Sequence, residues 1–86
     1  MVEVLEVIWT EKFEKEVKKL KDNATKARIK KEIDRIMENP KVGKPLRFAL
    51  KGERTIRIAP YRLTYSLIGG KLYLLCFEHR SKVYDY

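Results

Sequence analysis

The residues of this sequence that could do chemistry lie in its second half. Arg57 and Arg62 fall on two neighbouring β-prone segments, and His79, Arg80 and Tyr84 follow near the end of the sequence. Arginine suits phosphate because its planar guanidinium donates two parallel hydrogen bonds and keeps its charge at any working pH. Histidine transfers protons near neutral pH, and cationic neighbours would lower the pKa of a tyrosine from its usual value of about 10. The set therefore predicts a phosphate-binding site with proton transfer available.

Such a set suits the cleavage of RNA without a metal ion. In RNA the 2′-hydroxyl can attack the adjacent phosphorus, a route that is closed to DNA. The protein must then accept the hydroxyl proton, stabilise the added negative charge and protonate the leaving oxygen. Glu78 and Asp85 are too few, and lie too close to cations, to indicate a catalytic metal. We therefore expect neither a metal nor a cofactor.

Each of these residues also has a purely structural interpretation. Arg57 and Arg62 could be ordinary arginines on a sheet surface. His79 has the opposite strand parity to Arg80 and could be a structural histidine, and Tyr84 could pack against a partner. The residues alone thus predict an RNA-binding surface and leave its activity open.

The charge distribution supports a polyanionic partner. The net charge is +8, and residues 44–86 carry nine Lys/Arg against three Asp/Glu, whereas residues 1–43 carry eleven against nine. Excess positive charge on one part of a fold attracts nucleic acid and speeds the encounter with it.

Hydrophobic periodicity predicts the elements that must position these residues. A β-prone run between Val2 and Trp9 indicates a first strand of about seven residues. A helix is expected over about residues 11–21, then a turn at 22–25, then a second helix that ends at Asn39-Pro40 because proline forbids continuation. Four β-rich runs complete the chain, at residues 46–50, 54–59, 61–68 and 72–79.

These elements predict a single α+β domain over residues 1–86. Its order is β-αα-ββββ, with two antiparallel helices packed on one face of a mainly antiparallel sheet. Gly69-Gly70 between two apolar runs predicts a two-residue hairpin.

Strand parity predicts where the arginines point, because side chains alternate across a strand. Ile56 and Ile58 share one face while Arg57 takes the other, and an apolar row that includes Leu63 lies opposite Arg62. The helices must cover the apolar rows, so the two arginines should lie together on the solvent-facing side. Arg80 and Tyr84 join that patch if the register of the last strand holds, whereas Thr64 and Ser66 give the same face a hydroxylic character.

Three further observations bear on the location of the protein. Cys76 is the single cysteine and has no companion at metal-ligand spacing, so we predict a buried small hydrophobe. No stretch approaches the ~20 apolar residues that a membrane span needs, and the acidic N-terminal run does not look like a signal peptide. We expect a cytoplasmic protein.

Three short motifs carry a resemblance to a known family. They are Lys44-Pro45-Leu46 to Leu50-Lys51-Gly52, the hairpin from Ile56 to Tyr65, and the ending His79-Arg80-Ser81-Lys82-Val83-Tyr84. Together with the order of elements, they resemble the RelE branch of the RelE/ParE toxin superfamily over essentially the whole chain. The resemblance implies a ribosome-dependent endoribonuclease that cleaves mRNA by 2′-hydroxyl attack and is inhibited by a RelB-like antitoxin.

The resemblance also implies roles for individual residues. Arg62 would stabilise the transition state, Arg80 would assist it, and Tyr84 would stack on or orient the target nucleotide. His79 or Tyr84 would have to supply proton transfer, because Thr55 and Glu78 replace a lysine and an arginine of some relatives. The cations predicted to bind RNA are Arg57, Lys51, Arg54 and Lys82.

Two other functions remain open at this point. A ParE-like toxin shares the fold but acts on DNA gyrase and needs no catalytic residues, which the set of Arg62, Arg80 and Tyr84 disfavours. A non-catalytic RNA-binding module would use the arginines for affinity alone.

Overall fold

The computed structural model describes residues 4–45 and 52–79 of the 86-residue chain. The elements follow the predicted order, with two helices between the first strand and a series of later strands. They are β1 (Glu6–Trp9), α1 (Glu11–Lys18), α2 (Asn23–Glu38), β2 (Lys44–Pro45), β3 (Arg54–Ile58), β4 (Tyr61–Ile68) and β5 (Lys71–His79).

The strands form one sheet in the order β1-β5-β4-β3-β2. All neighbouring pairs are antiparallel except β1 and β5, which run parallel. A parallel pair needs a crossover, and α1 and α2 belong to the connection that supplies it. Gly69 and Gly70 have φ values of 57° and 81°, so the predicted hairpin between β4 and β5 is confirmed with the positive φ angles that such a turn requires.

The helix caps explain why the two helices begin where they do. The Thr10 hydroxyl accepts the Phe13 amide at 3.3 Å and donates to the Leu74 carbonyl of β5 at 2.7 Å. The Asp22 carboxylate accepts the Ala24 amide at 2.9 Å and the Thr25 hydroxyl at 2.7 Å, and these bonds lower the pKa of Asp22. Asp22 is the N-cap of α2, and the helix begins at Asn23. The prediction of a turn over residues 22–25 is therefore wrong. The first helix likewise ends at Lys18, three residues before the predicted limit of 21.

Both helices contribute to one hydrophobic core on one face of the sheet, as predicted. Phe13 of α1 is fully buried, and α2 adds an isoleucine stripe at helical spacing. The buried core residues are Phe13, Ile29, Ile33, Ile36, Ile56, Ile58, Leu63, Tyr65, Leu72, Leu74 and Phe77.

A bulge in β5 changes which residues of that strand face the core. Thr64 pairs with Cys76 but Tyr65 pairs with Leu74, so Leu75 is the extra residue. Leu74 therefore faces the helices, while Glu78, four positions later and of the same parity, lies in register with Arg62 on the other face. Simple alternation could not have predicted that separation.

Two predicted strands extend outside the described residues. The first was expected from Val2, which lies outside the described residues, but Val4 and Leu5 are described and precede the strand, which spans Glu6–Trp9. The run at 46–50 lies outside the described residues, and the two-residue strand Lys44–Pro45 precedes it. Within residues 4–45 and 52–79, no helix has the length and apolar character needed to cross a membrane.

Candidate functional site

Arg57 and Arg62 are direct cross-strand partners on β3 and β4. Directly opposite residues have Cβ atoms about 5 Å apart on the same face, and like charges so placed destabilise a sheet. Arg57 is exposed and Arg62 is half-buried. Among the described residues no carboxylate lies within ion-pair distance of either guanidinium. Two adjacent unneutralised cations are a ready site for an anion.

The arginine pair forms one wall of a groove that has a volume of about 400 Å³. We call it the arginine groove. Arg35 of α2 and Lys44 of β2 add two more cations from separate elements, and none of the described residues that line the groove is acidic. Positive charge gathered in a cleft raises the local concentration of anionic ligands. The lining residues are Arg35, Val42, Gly43, Lys44, Thr55, Ile56, Arg57 and Arg62.

The groove exists because β2 is short. Lys44 pairs with Thr55 and Pro45 with Arg54, so the edge of β3 beyond Thr55 has no strand partner among the described residues. The chain upstream of Lys44 instead leads back to the end of α2, and Arg35 of that helix lines the same groove as the arginine pair.

Tyr65 and Arg54 hold the loop that forms the groove wall. The buried Tyr65 hydroxyl accepts the Gly43 amide at 3.0 Å and donates to the Pro40 carbonyl at 2.7 Å. The Arg54 guanidinium donates to the Gly43 carbonyl at 2.7 Å and to the Lys41 carbonyl at 3.3 Å. Arg54 was predicted to bind RNA, and here its guanidinium is engaged with the loop.

Replacing Tyr65 with phenylalanine should lower the free energy of unfolding by about 1.5 kcal/mol, because it leaves a buried amide and carbonyl without their partner. Urea denaturation of the two proteins measures the difference. Tyr73→Phe is the control, because the half-buried Tyr73 hydroxyl makes no hydrogen bond to residues 4–45 or 52–79. Equal losses for both variants would show that the Tyr65 hydroxyl does not hold the loop.

The Tyr65 contribution should also depend on pH. Desolvation raises the pKa of Tyr65 above 10.0, whereas in the unfolded chain the hydroxyl ionises near that value. The stabilisation is therefore complete below about pH 10 and is lost as the pH rises through the raised pKa. The difference in the free energy of unfolding between the parent and Tyr65→Phe should therefore become smaller above about pH 10.

Strand parity predicted that Thr64 and Ser66 would share the solvent-facing side of the sheet with the arginines, but this part of the face is less exposed than that prediction implied. Thr64 and Ser66 are buried, with 8% and 4% of their surface exposed. Ser66 lies in register with the much larger Tyr73, and Thr64 lies between Thr55 and Cys76. Burial raises the pKa of the Cys76 thiol, which agrees with a structural cysteine. The middle of this face is thus closed, whereas its arginine end is accessible.

His79 lies on the other side of the sheet from Arg62. It is in register with Tyr61, and the two rings meet edge to face with centroids 5.6 Å apart. Tyr61 in turn stacks on Phe77 of the core at 4.7 Å. The structure therefore does not bring His79 to the arginine groove.

Four of the predicted site residues lie outside the described residues: Lys51, Arg80, Lys82 and Tyr84. Conversely, prediction from sequence missed Arg35 and Lys44 as parts of the site. Arg35 looked like one more solvated helix charge, and it does bind Glu32 of its own helix at 2.7 Å. The only available signal was its position one turn before the helix end, which leads into the loop.

Comparison with known proteins identifies the family. The family model for "ParE toxin of type II toxin-antitoxin system, parDE" matches residues 7–84. The chain belongs to the ParE toxin family. The predicted membership of the RelE/ParE superfamily is thereby confirmed, and the chain is a toxin of a type II toxin–antitoxin system.

A solved structure supports the same assignment for this ParE-family chain. A chain of the RelBE2 toxin–antitoxin complex from Mycobacterium tuberculosis is 28% identical and superposes with a TM-score of 0.71. The match covers 86% of this chain and 95% of that one. No curated protein sequence matches significantly. The fold is therefore RelE-like, with two helices on a mostly antiparallel five-stranded sheet.

Proposed function

We propose that this toxin is a ribosome-dependent, metal-independent endoribonuclease that cleaves mRNA by attack of the 2′-hydroxyl. The observation that carries the proposal is the direct pairing of Arg57 with Arg62 in a groove whose described lining holds four cations and no acidic residue. Similarity to the toxin–antitoxin complex RelBE2 also favours a RelE-type activity.

The arginine pair is suited to stabilise the negative charge that develops on the phosphate during cleavage. When the 2′-oxygen attacks phosphorus, the non-bridging oxygens gain negative charge, and preorganised donors stabilise it more strongly in a partly buried groove than in water. Two guanidinium groups on adjacent strands can each donate two parallel hydrogen bonds to those oxygens. Arg80 and Tyr84 are proposed to complete the site, with Tyr84 stacking on or orienting the nucleotide.

Arg35 and Lys44, which line the groove together with the arginine pair, are proposed to bind the RNA backbone. Contacts of this kind position a strand without reading its bases, and each makes the affinity depend on salt.

Replacing Lys44 with alanine should therefore weaken binding modestly and reduce the slope of log K against log salt by about 0.7, the value for one phosphate of a single strand. The measurement is a salt titration with an RNA oligonucleotide that carries a 2′-deoxy nucleotide at the cleaved position. Lys19→Ala removes a cation at the end of α1, which packs against β5, and is the control. If Lys44→Ala and Lys19→Ala give the same slope of log K against log salt, Lys44 does not contact a phosphate.

A ParE-like action on DNA gyrase is the second candidate, because the matching family model describes a ParE toxin. Expression in cells separates the two. The proposed activity should deplete mRNA without inducing a DNA-damage response, whereas DNA damage with intact mRNA would favour gyrase as the target.

We also propose a RelB-like antitoxin as the partner, since the RelBE2 structure is a toxin–antitoxin complex. The apolar stripes of α1 and α2 are buried, so the edge formed by β1, which has one strand partner among the described residues, is the better docking surface. It carries exposed Trp9, follows exposed Leu5 and is an edge to which a further strand could be added. Native mass measurement of the co-expressed pair tests this, and a strictly monomeric toxin would contradict it. The proposed substrate places the toxin in the cytoplasm.

A further inference from the structure

Three charged side chains form a row across the middle of the sheet. Arg57 of β3 is in register with Arg62 of β4, and Arg62 is in register with Glu78 of β5. Residues in direct register point to the same face, with Cβ atoms about 5 Å apart. The row therefore places one carboxylate beside the arginine pair.

Glu78 is only weakly engaged by its surroundings. Its one ion pair among the described residues is with Lys12 of α1, at 3.8 Å, and its side chain is 26% exposed. The other nearby carboxylate, Glu16 of α1, is used structurally, because its Oε1 accepts the Phe77 amide of β5 at 2.8 Å. The groups that face Glu78 are thus Lys12 and Glu16 from α1, Arg62 from β4 and Cys76 from its own strand.

A carboxylate at this position is unfavourable for phosphate binding alone. It repels a phosphate held by Arg62 and weakens the field of the arginine pair. Such a group can accept a proton from the substrate, and a carboxylate next to two phosphate-binding cations is well placed for that.

We propose that Glu78 is the general base of the cleavage reaction, an inference that rests on the proposed endoribonuclease function. Its carboxylate takes the proton of the 2′-hydroxyl as the 2′-oxygen forms its bond to phosphorus. The bond between phosphorus and the 5′-oxygen breaks, that oxygen keeps the electron pair and takes a proton from water, and Arg57 and Arg62 hold the non-bridging oxygens. The products are a 2′,3′-cyclic phosphate and a 5′-hydroxyl, and Glu78 returns its proton to solvent.

The test is single-turnover cleavage of ribosome-bound mRNA as a function of pH, with the parent, Glu78→Gln and Glu78→Asp. Glu78→Gln should cleave about 100-fold more slowly, within the range expected for loss of a general base. For the parent, the cleavage rate is expected to fall at low pH, where a general base is protonated. Glu78→Gln should not show this fall. Glu78→Asp keeps a carboxylate and should retain the decline and part of the rate.

Glu16→Gln is the matched control, because it removes a neighbouring carboxylate while glutamine can still accept the Phe77 amide. It should cleave like the parent. Thermal unfolding and antitoxin binding verify that each variant is folded. A parent-like rate for Glu78→Gln, or a slower rate with the low-pH decline intact, would overturn the assignment of Glu78 while leaving the endoribonuclease proposal standing. A parent protein that does not cleave at all would overturn both.

Discussion

Replacing Arg62 with alanine should reduce mRNA cleavage by about 1,000-fold and abolish growth inhibition, while antitoxin binding is retained. Arg62 is the central member of the cross-strand row, with Arg57 on one side and Glu78 on the other. Its removal takes away donors that would be aimed at the charge that develops on phosphorus. The β1 edge proposed for the antitoxin is separated from β4 by β5, so the complex should still form.

Two variants sharpen this prediction. Arg62→Lys keeps the charge but loses the planar fork, so it should recover only part of the rate. Arg28→Ala removes an exposed arginine of α2 that donates a hydrogen bond to the Ala59 carbonyl at 2.9 Å, and it should remain as toxic as the parent. An Arg62→Ala protein that inhibits growth as strongly as the parent would contradict a catalytic role for the pair.

Replacing Gly43 with alanine should lower the free energy of unfolding by about 3 kcal/mol, at the upper end of the usual effect of overpacking. An added Cβ would lie 2.8 Å from the Tyr65 hydroxyl oxygen, 2.9 Å from Tyr65 Cε1 and 2.9 Å from the Thr55 carbonyl oxygen. Neither a buried ring nor strand backbone can yield easily, so the loop must shift and lose its bonds to Tyr65. The effect should therefore exceed that of Tyr65→Phe, and RNA binding should weaken as the groove wall moves.

Gly52→Ala is the appropriate control for this substitution. Gly52 has a φ of +72° but nothing within 4 Å of an added Cβ, so only backbone strain of about 1 kcal/mol is expected. Urea denaturation should rank Gly43→Ala as clearly the less stable variant. The reverse order would mean that the loop at Gly43 adapts and does not depend on close approach to Tyr65.

Much of the fold could be predicted because its signals are local. The alternation in Tyr61–Ile68 predicted β4 to the residue, and parity correctly put Arg57 and Arg62 on one face. The start of α2 was missed because Asp22-Asn23 is typical of a turn, whereas Asp22 caps the helix immediately. The parallel pairing of β1 with β5 joins distant segments, and no local pattern encodes it.

The site was harder to predict because its lining residues come from α2, the loop after it, β2, β3 and β4 and are brought together only by the fold. Arg35 and Lys44 reach the groove through the loop that Tyr65 and Arg54 hold, and nothing in their immediate sequence indicates that position. His79 was the easier case. Strand parity already separated it from Arg80 in the sequence, and in the structure it lies in register with Tyr61.

End-group analysis of mRNA cleaved on purified ribosomes tests the proposed chemistry of the arginine groove most directly. The parent toxin should leave a 2′,3′-cyclic phosphate and a 5′-hydroxyl, and a 2′-deoxy nucleotide at the cleaved position should prevent cleavage. A 5′-phosphate end, or cleavage of the deoxy-substituted message, would show that Arg57 and Arg62 do not support attack by the 2′-hydroxyl.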